Sequence, residues 1–147
     1  MQTTPDAPIG IFDSGFGGLA IYRAARKRLP FERFIYFADS NHCPYGALSS
    51  ETIEHRSFYV ADALSKAGVK AIVVACNTAT TRVVSKLRNR WRVPIVGVEP
   101  GIKPAFETTQ SNSILLLATP RTLESEAVDR LSSHYAGESK VISHSCP

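Results

Sequence analysis

A cysteine with two polar neighbours follows the most apolar run of the chain. Cys76 comes directly after residues 71–75 and is followed by Asn77 and Thr78. A thiol at the start of a helix lies near the positive end of the helix dipole, which lowers its pKa and favours the reactive thiolate. Free cysteines are often only core residues, but polar neighbours do not suit a packing position. The pattern predicts a chemically active thiol, with Asn77 and Thr78 as ligand donors; an equal alternative is that Thr78 caps the helix.

A glycine-rich segment follows the first apolar run and reads Asp13-Ser14-Gly15-Phe16-Gly17-Gly18. Glycines let the backbone turn sharply into a helix, whose free N–H groups can hold an anion such as a carboxylate. Asp13 can accept a hydrogen bond from an ammonium group. The simpler alternative is a tight turn in which Asp13 caps the helix.

The same segment also fits a dinucleotide-binding fingerprint. Residues 15–20 match G-x-G-x-x-A, and Asp39 falls where the acid that binds a ribose belongs. Against this hypothesis, Asp13 would place a negative charge beside a pyrophosphate, and Cys76 would have no role. A dinucleotide-binding Rossmann-like domain therefore ranks as the second interpretation.

Other loops add weaker candidates. Tyr45 and Gly46 follow a proline and indicate either a turn or a ligand contact. His42 could pair with Cys76 as in Cys–His hydrolases, because such partners need only meet in space, but nothing in the sequence favours this pairing. His42, Cys43 and Cys76 lack the spacing of metal ligands, so no metal is expected.

Apolar runs alternate with helical patterns along the chain. The predicted strands cover residues 9–12, 34–38, 71–75, 95–98, 113–118 and a run that begins at 140–142. The predicted helices cover 17–29, a segment capped by Ser50 and ended by Gly68, then 78–89, 101–108 and 121–132. This alternation predicts an α/β fold with an open, mostly parallel sheet, flanking helices and right-handed crossovers.

A proline-rich seam near residues 99–101 suggests two domains. Residues 1–98 are expected to form a first α/β domain that carries Cys76, and residues 99–147 the start of another. We expect residues 99–147 to be a C-terminally incomplete domain, because no helix follows its last strand.

Polar residues follow the predicted strands, and ligands of open parallel sheets bind outside the carboxyl ends of the strands. These residues are Asp13, Asp39, Cys76, Glu99 and Thr119. We therefore expect them to converge on one crevice, with Glu99 as a helix cap or a supporting acid.

The composition narrows the classes of partner. A total of 17 Lys+Arg against 13 Asp+Glu gives a net charge of only +4, and the basic stretch 23–28 has no interleaved aromatic residues for stacking on nucleic acid. The apolar runs are too short to span a bilayer, and the first residues lack the pattern of a secretory signal. Three scattered cysteines suit a reducing compartment. The sequence predicts a soluble, cytoplasmic protein without nucleic-acid or membrane partners.

Five segments, in this order and spacing, resemble the glutamate racemase family (aspartate/glutamate racemases) over nearly the whole chain. They are 11–18 (IFDSGFGG), 37–39 (FAD), 44–46 (PYG), 76–79 (CNTA) and 97–100 (GVEP). The resemblance implies interconversion of L- and D-glutamate, which supplies D-glutamate for peptidoglycan. It also implies that pyridoxal phosphate, metal and nucleotide take no part in catalysis. A homodimer is a further expectation from the resemblance, because members of the family commonly dimerise.

The resemblance also assigns roles to single residues. It implies that Cys76 is a catalytic thiol, the one that acts on the D-enantiomer. It implies that the substrate is contacted by Asp13, Ser14, Tyr45, Gly46, Asn77 and Thr78, with Thr119 as a further candidate.

The chain departs from the family at the second thiol. Racemisation without an electron sink needs a base on one face of the α-carbon and an acid on the other. The family's second thiol lies in a Gly-Cys-Thr-His motif of the C-terminal half, which is absent here, and Cys146 does not match that motif. A returning C-terminal segment, which completes the first domain in the family, is also absent. We therefore expect the N-terminal portion of a racemase, inactive alone, with a non-catalytic remnant as the alternative.

Overall fold

The computed structural model describes residues 4–136 and 140–146. The strands are β1 (Ile9–Asp13), β2 (Phe34–Ala38), β3 (Ala71–Val74), β4 (Ile95–Gly97), β5 (Ser113–Ala118) and β6 (Lys140–Ser145). The helices are α1 (Leu19–Arg28), α2 (Ser50–Lys66), α3 (Asn77–Arg90), α4 (Ile102–Thr108), α5 (Pro120–Leu123) and α6 (Glu126–Ala136). Two short 3-10 turns, Ser40–His42 and Tyr45–Ala47, lie between β2 and α2. The predicted α/β class with parallel strands and flanking helices is confirmed.

Four parallel strands form the main sheet in the order β2-β1-β3-β4. The central strand β1 pairs with β2 on one side and with β3 on the other, so that Phe12 lies beside both Phe37 and Val74. From β1 the chain moves first to one side of the sheet and then to the other. This order makes the gap between the carboxyl ends of β1 and β3 the switch point where a ligand crevice is expected.

Helices α2 and α3 cover one face of this sheet. On α2, Ile53, Val60 and Leu64 recur at helical spacing and are almost fully buried, as is Leu87 on α3. By contrast, α1 buries none of its residues. Within the described residues, no helix is long and apolar enough to cross a membrane.

The two strands after residue 98 form a separate parallel pair and do not extend the first sheet. Leu115 of β5 lies beside Ile142 of β6, so both side chains stand on the same face of the pair, together with Leu117. These three side chains are 61%, 55% and 59% exposed, respectively. Since parallel sheets are normally covered on both faces, this layer lacks one of its covers among the described residues.

Two local predictions about helix ends are wrong. Ser49, not Ser50, caps α2, because its Oγ accepts a hydrogen bond from the N–H three residues later at 3.2 Å. The helix predicted over 121–132 is divided into α5 and α6. Ser125 lies between them, and its Oγ accepts the N–H of Val128 at 3.3 Å, which starts the second helix.

The burial of α3 predicts the effect of a matched pair of leucine substitutions. Leu87→Ala removes a side chain with no exposed surface and should lower the free energy of unfolding by about 2–5 kcal/mol. Leu115→Ala, at the exposed face of β5, should change it by about 0.5 kcal/mol or less. Urea unfolding followed by circular dichroism measures both, and equal losses would contradict this account of the core.

Candidate active site

A cleft of about 460 Å³ opens at the carboxyl ends of β1 and β3. Its polar lining consists of Asp13, Cys76, Asn77, Thr78, Thr119 and Thr122. Its apolar lining includes Ile21 of α1, Val98 after β4, and Leu116 and Leu117 of β5. The structure therefore brings together five of the eight residues that the sequence singled out, from three different strand ends.

Cys76 lies at the junction of β3 and α3 and is 8% exposed. Its Sγ caps α3 by accepting the N–H of Ala79 at 3.5 Å, so Thr78 is not the cap. The same sulfur lies 3.4 Å from Oγ of Ser14. Ser14 is thus placed against the thiol itself, although it does not line the cleft.

The environment of the thiol reverses one expectation from the sequence. Burial raises the pKa of Cys76, and the nearby charge of Asp13 raises it further. Hydrogen bonds from Ser14 and from the N–H of Ala79 act in the opposite direction but do not compensate. The prediction of an acidified thiolate is therefore wrong, because desolvation outweighs the hydrogen bond from the first turn of α3. At neutral pH Cys76 is a thiol, ready to donate a proton.

Asp13 is buried at the end of β1 and is held through one carboxylate oxygen. The N–H of Gly18, at the start of α1, donates to Oδ2 at 2.8 Å, and the hydroxyl of Tyr36 lies 3.3 Å from the same atom. Asp13 therefore does act at the start of α1, as the simpler alternative proposed. Within the described residues Oδ1 makes no hydrogen bond, and Asp13 lines the cleft, which leaves Oδ1 available to a ligand.

Three threonine hydroxyls form a ring that joins α3 to α5. Thr78 Oγ1 lies 3.1 Å from both Thr119 Oγ1 and Thr122 Oγ1, and the latter two are 3.0 Å apart. The sequence prediction missed Thr122. Its signal was the spacing, because Thr119 caps α5 and a cap commonly bonds the residue three positions later.

Asn77 begins α3 and also ties this helix to the next strand. Its side-chain amide nitrogen donates to the carbonyl oxygen of Val98 at 2.7 Å. One of its two amide protons is thus used inside the protein, and the residue is exposed at the cleft. Asn77 can therefore both position the wall after β4 and bind a ligand.

Tyr45 and Gly46 lie outside the cleft lining, behind Thr119. The Tyr45 side chain is 1% exposed, and its hydroxyl donates to Asp39 Oδ2 at 2.7 Å. A Cβ on Gly46 would lie 2.6 Å from Cγ2 of Thr119, so only glycine permits this approach. The structure does not bring the Tyr45 hydroxyl into the cleft, and substrate contact by these two residues stays a prediction.

Asp39 is buried in a network of its own and does not line the cleft. Arg56 on α2 donates to both of its carboxylate oxygens, from Nε at 2.9 Å and from Nη2 at 2.8 Å, and His42 Nδ1 lies 3.1 Å away. Burial opposes ionisation, but the hydrogen bonds from Arg56, Tyr45 and His42 and the charge of Arg56 hold the pKa of Asp39 below its usual value. The expectation that Asp39 converges on the crevice is wrong.

The same network bears on two alternatives. His42 is engaged with Asp39, and the hydrogen bonds of the Cys76 thiol come from Ser14 and Ala79, so no Cys–His pair is assembled. Glu99 is also absent from the lining; it lies 3.6 Å from Arg130 on the surface. Among residues 4–136 and 140–146, no group of three His, Cys, Asp or Glu side chains could hold a metal ion.

Comparison with known proteins agrees with this geometry. Residues 18–145 match the Asp/Glu/Hydantoin racemase family. The chain belongs to this family. It is similar to the glutamate racemase of Ralstonia pickettii, with 49% identity over 143 residues that cover 97% of this chain and 51% of that protein.

Solved racemase structures share the fold. A glutamate racemase from Escherichia coli, in complex with L-glutamate and an activator, superposes with a TM-score of 0.87 at 35% identity, covering 95% of this chain and 53% of that one. One from Francisella tularensis, in complex with D-glutamate, gives 0.81 at 32% identity, covering 96% and 53%. This member of the racemase family spans about half the length of these relatives. The dinucleotide-binding interpretation is not supported, because the family differs and Asp39 is already bonded.

The Asp39 network predicts a large cost for removing its cation. Arg56→Gln leaves a buried carboxylate without its charged partner and should lower the free energy of unfolding at neutral pH by about 3–5 kcal/mol. Because the pKa of Asp39 is lowered in the folded state, this stabilisation is complete above the ordinary value of 3.8 and is lost as the pH falls through the folded-state pKa. The difference between the two proteins should therefore shrink in acid.

The control is the surface pair. Arg130→Gln, at a side chain that is 71% exposed, should cost about 0.5 kcal/mol or less at any pH. Urea unfolding at several pH values compares the variants. A cost for Arg56→Gln that stays constant into acid would show that the charge of Asp39 is not the cause.

Proposed function

We propose that these residues form the N-terminal half of a glutamate racemase, which interconverts L- and D-glutamate by proton transfer without a cofactor. The observation that carries the proposal is a single buried thiol, Cys76, which shares a cleft with the carboxylate of Asp13 at the switch point of the sheet. Membership of the racemase family, and relatives solved with L- or D-glutamate, support glutamate as the substrate.

The lining of the cleft suits an amino acid. The free oxygen of Asp13 can accept a hydrogen bond from the substrate ammonium group. No Lys or Arg side chain lines the cleft within the described residues, so the substrate carboxylates must be bound by neutral donors. The threonine ring, the amide of Asn77 and the first N–H groups of α3 provide these donors. Ser14, Tyr45 and Gly46 belong to the proposal through the resemblance.

Racemisation requires two acid/base groups, one on each face of the substrate α-carbon. When a base removes the α-proton on one face of the substrate, Cys76 delivers its thiol proton to the carbon on the other face and becomes a thiolate; in the reverse direction the thiolate takes the proton back. The donors around the substrate carboxylate stabilise the charge that develops in between. Cys76 is the only thiol in the described lining, so the second acid/base group comes from outside these residues.

Substrate binding should also lower the pKa of the Cys76 thiol. Part of the rise in the pKa of Cys76 comes from the negative charge of Asp13. An ammonium group placed against Asp13 offsets that charge and favours the thiolate. The pKa of Cys76 should therefore be lower when an amino acid is bound.

The proposal includes the two-domain division, with residues 1–98 as a first domain and 99–147 as the start of a second. Two separate sheets support it, as do the exposed leucines of β5 and the absence of buried residues on α1. These bare surfaces are suitable for additional chain in the whole racemase. By the family resemblance, the whole protein supplies D-glutamate for peptidoglycan in the cytoplasm and forms a homodimer.

Binding can be tested without turnover. D-glutamate at saturating concentration should slow the alkylation of Cys76 by iodoacetamide, because the ligand covers the thiol. Digestion with trypsin isolates Cys76 in peptide 71–82, in which it is the only cysteine, so mass spectrometry can follow it alone. The exposed Cys43 is an internal control whose alkylation should not change.

Asp13→Asn provides the matched control for this protection. Asparagine keeps the shape of Asp13 but loses the charge that pairs with the ammonium group, so protection should weaken about tenfold or more in D-glutamate concentration. Equal protection of Cys76 in both proteins, or of Cys76 and Cys43 alike, would contradict the proposed binding mode.

Turnover tests the need for a second half. The 147-residue chain alone should not racemise glutamate, because it supplies one of two thiols. Fusion to the remaining half of the Ralstonia pickettii relative should give racemisation, measured by loss of optical rotation, and Cys76→Ala should reduce it by about 10²–10⁴-fold. Turnover by the isolated chain that disappears in Cys76→Ala would overturn this division of labour.

A further inference from the structure

A half-buried tyrosine hydroxyl lies beside Asp13 but takes no part in the chemistry described so far. Tyr36 extends from β2, next to the strand that carries Asp13. Its hydroxyl is 3.3 Å from Asp13 Oδ2 and also 3.3 Å from the carbonyl oxygen of Gly15. Its ring packs edge to face against Tyr22, with the ring centres 6.3 Å apart.

Close packing at Gly18 holds this hydroxyl in place. A Cβ at position 18 would lie 2.9 Å from the Tyr36 hydroxyl oxygen, 3.0 Å from Cβ of Asp13 and 2.7 Å from Cβ of Ala75. Three elements therefore converge on one glycine, and no side chain fits between them. The hydroxyl is confined to the position from which it reaches Asp13.

The direction of the hydrogen bond follows from its partners. A carboxylate oxygen and a carbonyl oxygen can only accept, so Tyr36 is the donor, and its single proton is shared between the two oxygens, each 3.3 Å away. Burial first, and then the charge of Asp13, raise the pKa of Tyr36, so the hydroxyl keeps its proton at neutral pH. Asp13 Oδ2 thus has two donors, the N–H of Gly18 and the hydroxyl that Tyr36 shares with the Gly15 carbonyl.

We propose that Tyr36 is a positioning residue for the racemase chemistry: it anchors one oxygen of Asp13 and screens the charge of that carboxylate from Cys76. Tyr36 acts through Asp13 and does not touch the substrate. The inference rests on the proposed function in that Cys76 and Asp13 are the working pair. It deepens that function by explaining why Asp13 offers one oxygen to a ligand and keeps the other inside the protein.

The groups that face the thiol are few. Asp13 approaches from β1, Tyr36 from β2 and Tyr45 from the second 3-10 turn; each interacts electrostatically with Cys76. Both tyrosines are neutral donors to aspartates, so the charge of Asp13 is the variable that matters. Loss of the Tyr36 hydroxyl leaves that charge less screened, which should make the thiol harder to ionise.

The experiment is a double-mutant cycle on the thiol titration of this chain. The rate of Cys76 alkylation is measured against pH on peptide 71–82. Tyr36→Phe should raise the midpoint of the thiol titration by about 0.5 pH unit, and Asp13→Asn should lower it by about 1 unit. On the Asp13→Asn background, Tyr36→Phe should shift the midpoint little, because the charge it screens is gone.

Tyr22→Phe is the matched control. It removes the hydroxyl of the tyrosine that packs against Tyr36, but that hydroxyl accepts from Arg26 and not from the site, so the midpoint should stay unchanged. Site-specific 3-fluorotyrosine at position 36 provides the opposite test, even if Tyr36→Phe fails to fold. Its more acidic hydroxyl is a stronger donor and should lower the midpoint.

Two outcomes overturn the inference. One is a midpoint that neither Tyr36→Phe nor 3-fluorotyrosine moves, and the other is a Tyr36→Phe shift of equal size on the Asp13→Asn background. The first outcome would show that Tyr36 does not affect the thiol. The second would show that its effect is not exerted through Asp13. Neither outcome uses D-glutamate, so failure here is separate from failure of the protection experiment. If the double-mutant cycle gives the expected shifts but D-glutamate does not protect Cys76 from alkylation, glutamate as the substrate is contradicted and the role of Tyr36 is not.

Discussion

The parallel pairing of β1 with β3 is the constraint on which the site depends. The ladder continues past the strands, because the N–H of Ala75 donates to the carbonyl of Phe12 at 2.7 Å. The next residue on each strand is therefore delivered to the same place: Asp13 on one side and Cys76 on the other. A change of register by one residue would turn one of these side chains to the opposite face of the sheet and separate the charge from the thiol.

Two buried aspartates show how the same side chain serves different purposes. Asp39 receives a fork from Arg56 together with hydrogen bonds from Tyr45 and His42, so its charge is compensated inside the protein. Asp13 receives two neutral donors, both on Oδ2, and no cation from residues 4–136 or 140–146. Burying a charge with such partial compensation is unfavourable for stability, and a cationic group placed against Asp13 would offset this cost. Asp39 has its hydrogen-bond acceptors occupied, whereas Asp13 keeps one oxygen that can take the role proposed for it in substrate binding.

The sequence predicted the strands well and the electrostatics poorly, for physical reasons. Strands such as 34–38 and 113–118 were located correctly because short apolar runs between polar loops are typical of buried parallel strands. The residues after β1 and β3 were also found, since strand ends are where parallel sheets bind ligands. The hydrogen bonds between Asp39 and Arg56 could not be predicted, because Arg56 lies seventeen positions away on a helix and only tertiary packing brings the two side chains together. The pKa of Cys76 was predicted with the wrong sign, because burial depends on every neighbour of the thiol and not on its local helix end alone.

The cleft lies between the four-stranded sheet and the separate strand pair. Its floor comes from the ends of β1 and β3, which are paired on both sides, whereas one wall is formed by Leu116 and Leu117 of β5. Beside that wall, Leu115 and Ile142 do not line the cleft and are 61% and 55% exposed. Proton removal from carbon needs a site from which water is excluded, because the donors that stabilise the developing charge are effective only at low dielectric. Covering the bare face of β5 and β6 would therefore bury the apolar layer and lower the dielectric of the cleft together, which links the proposed acid/base chemistry to the packing of this layer.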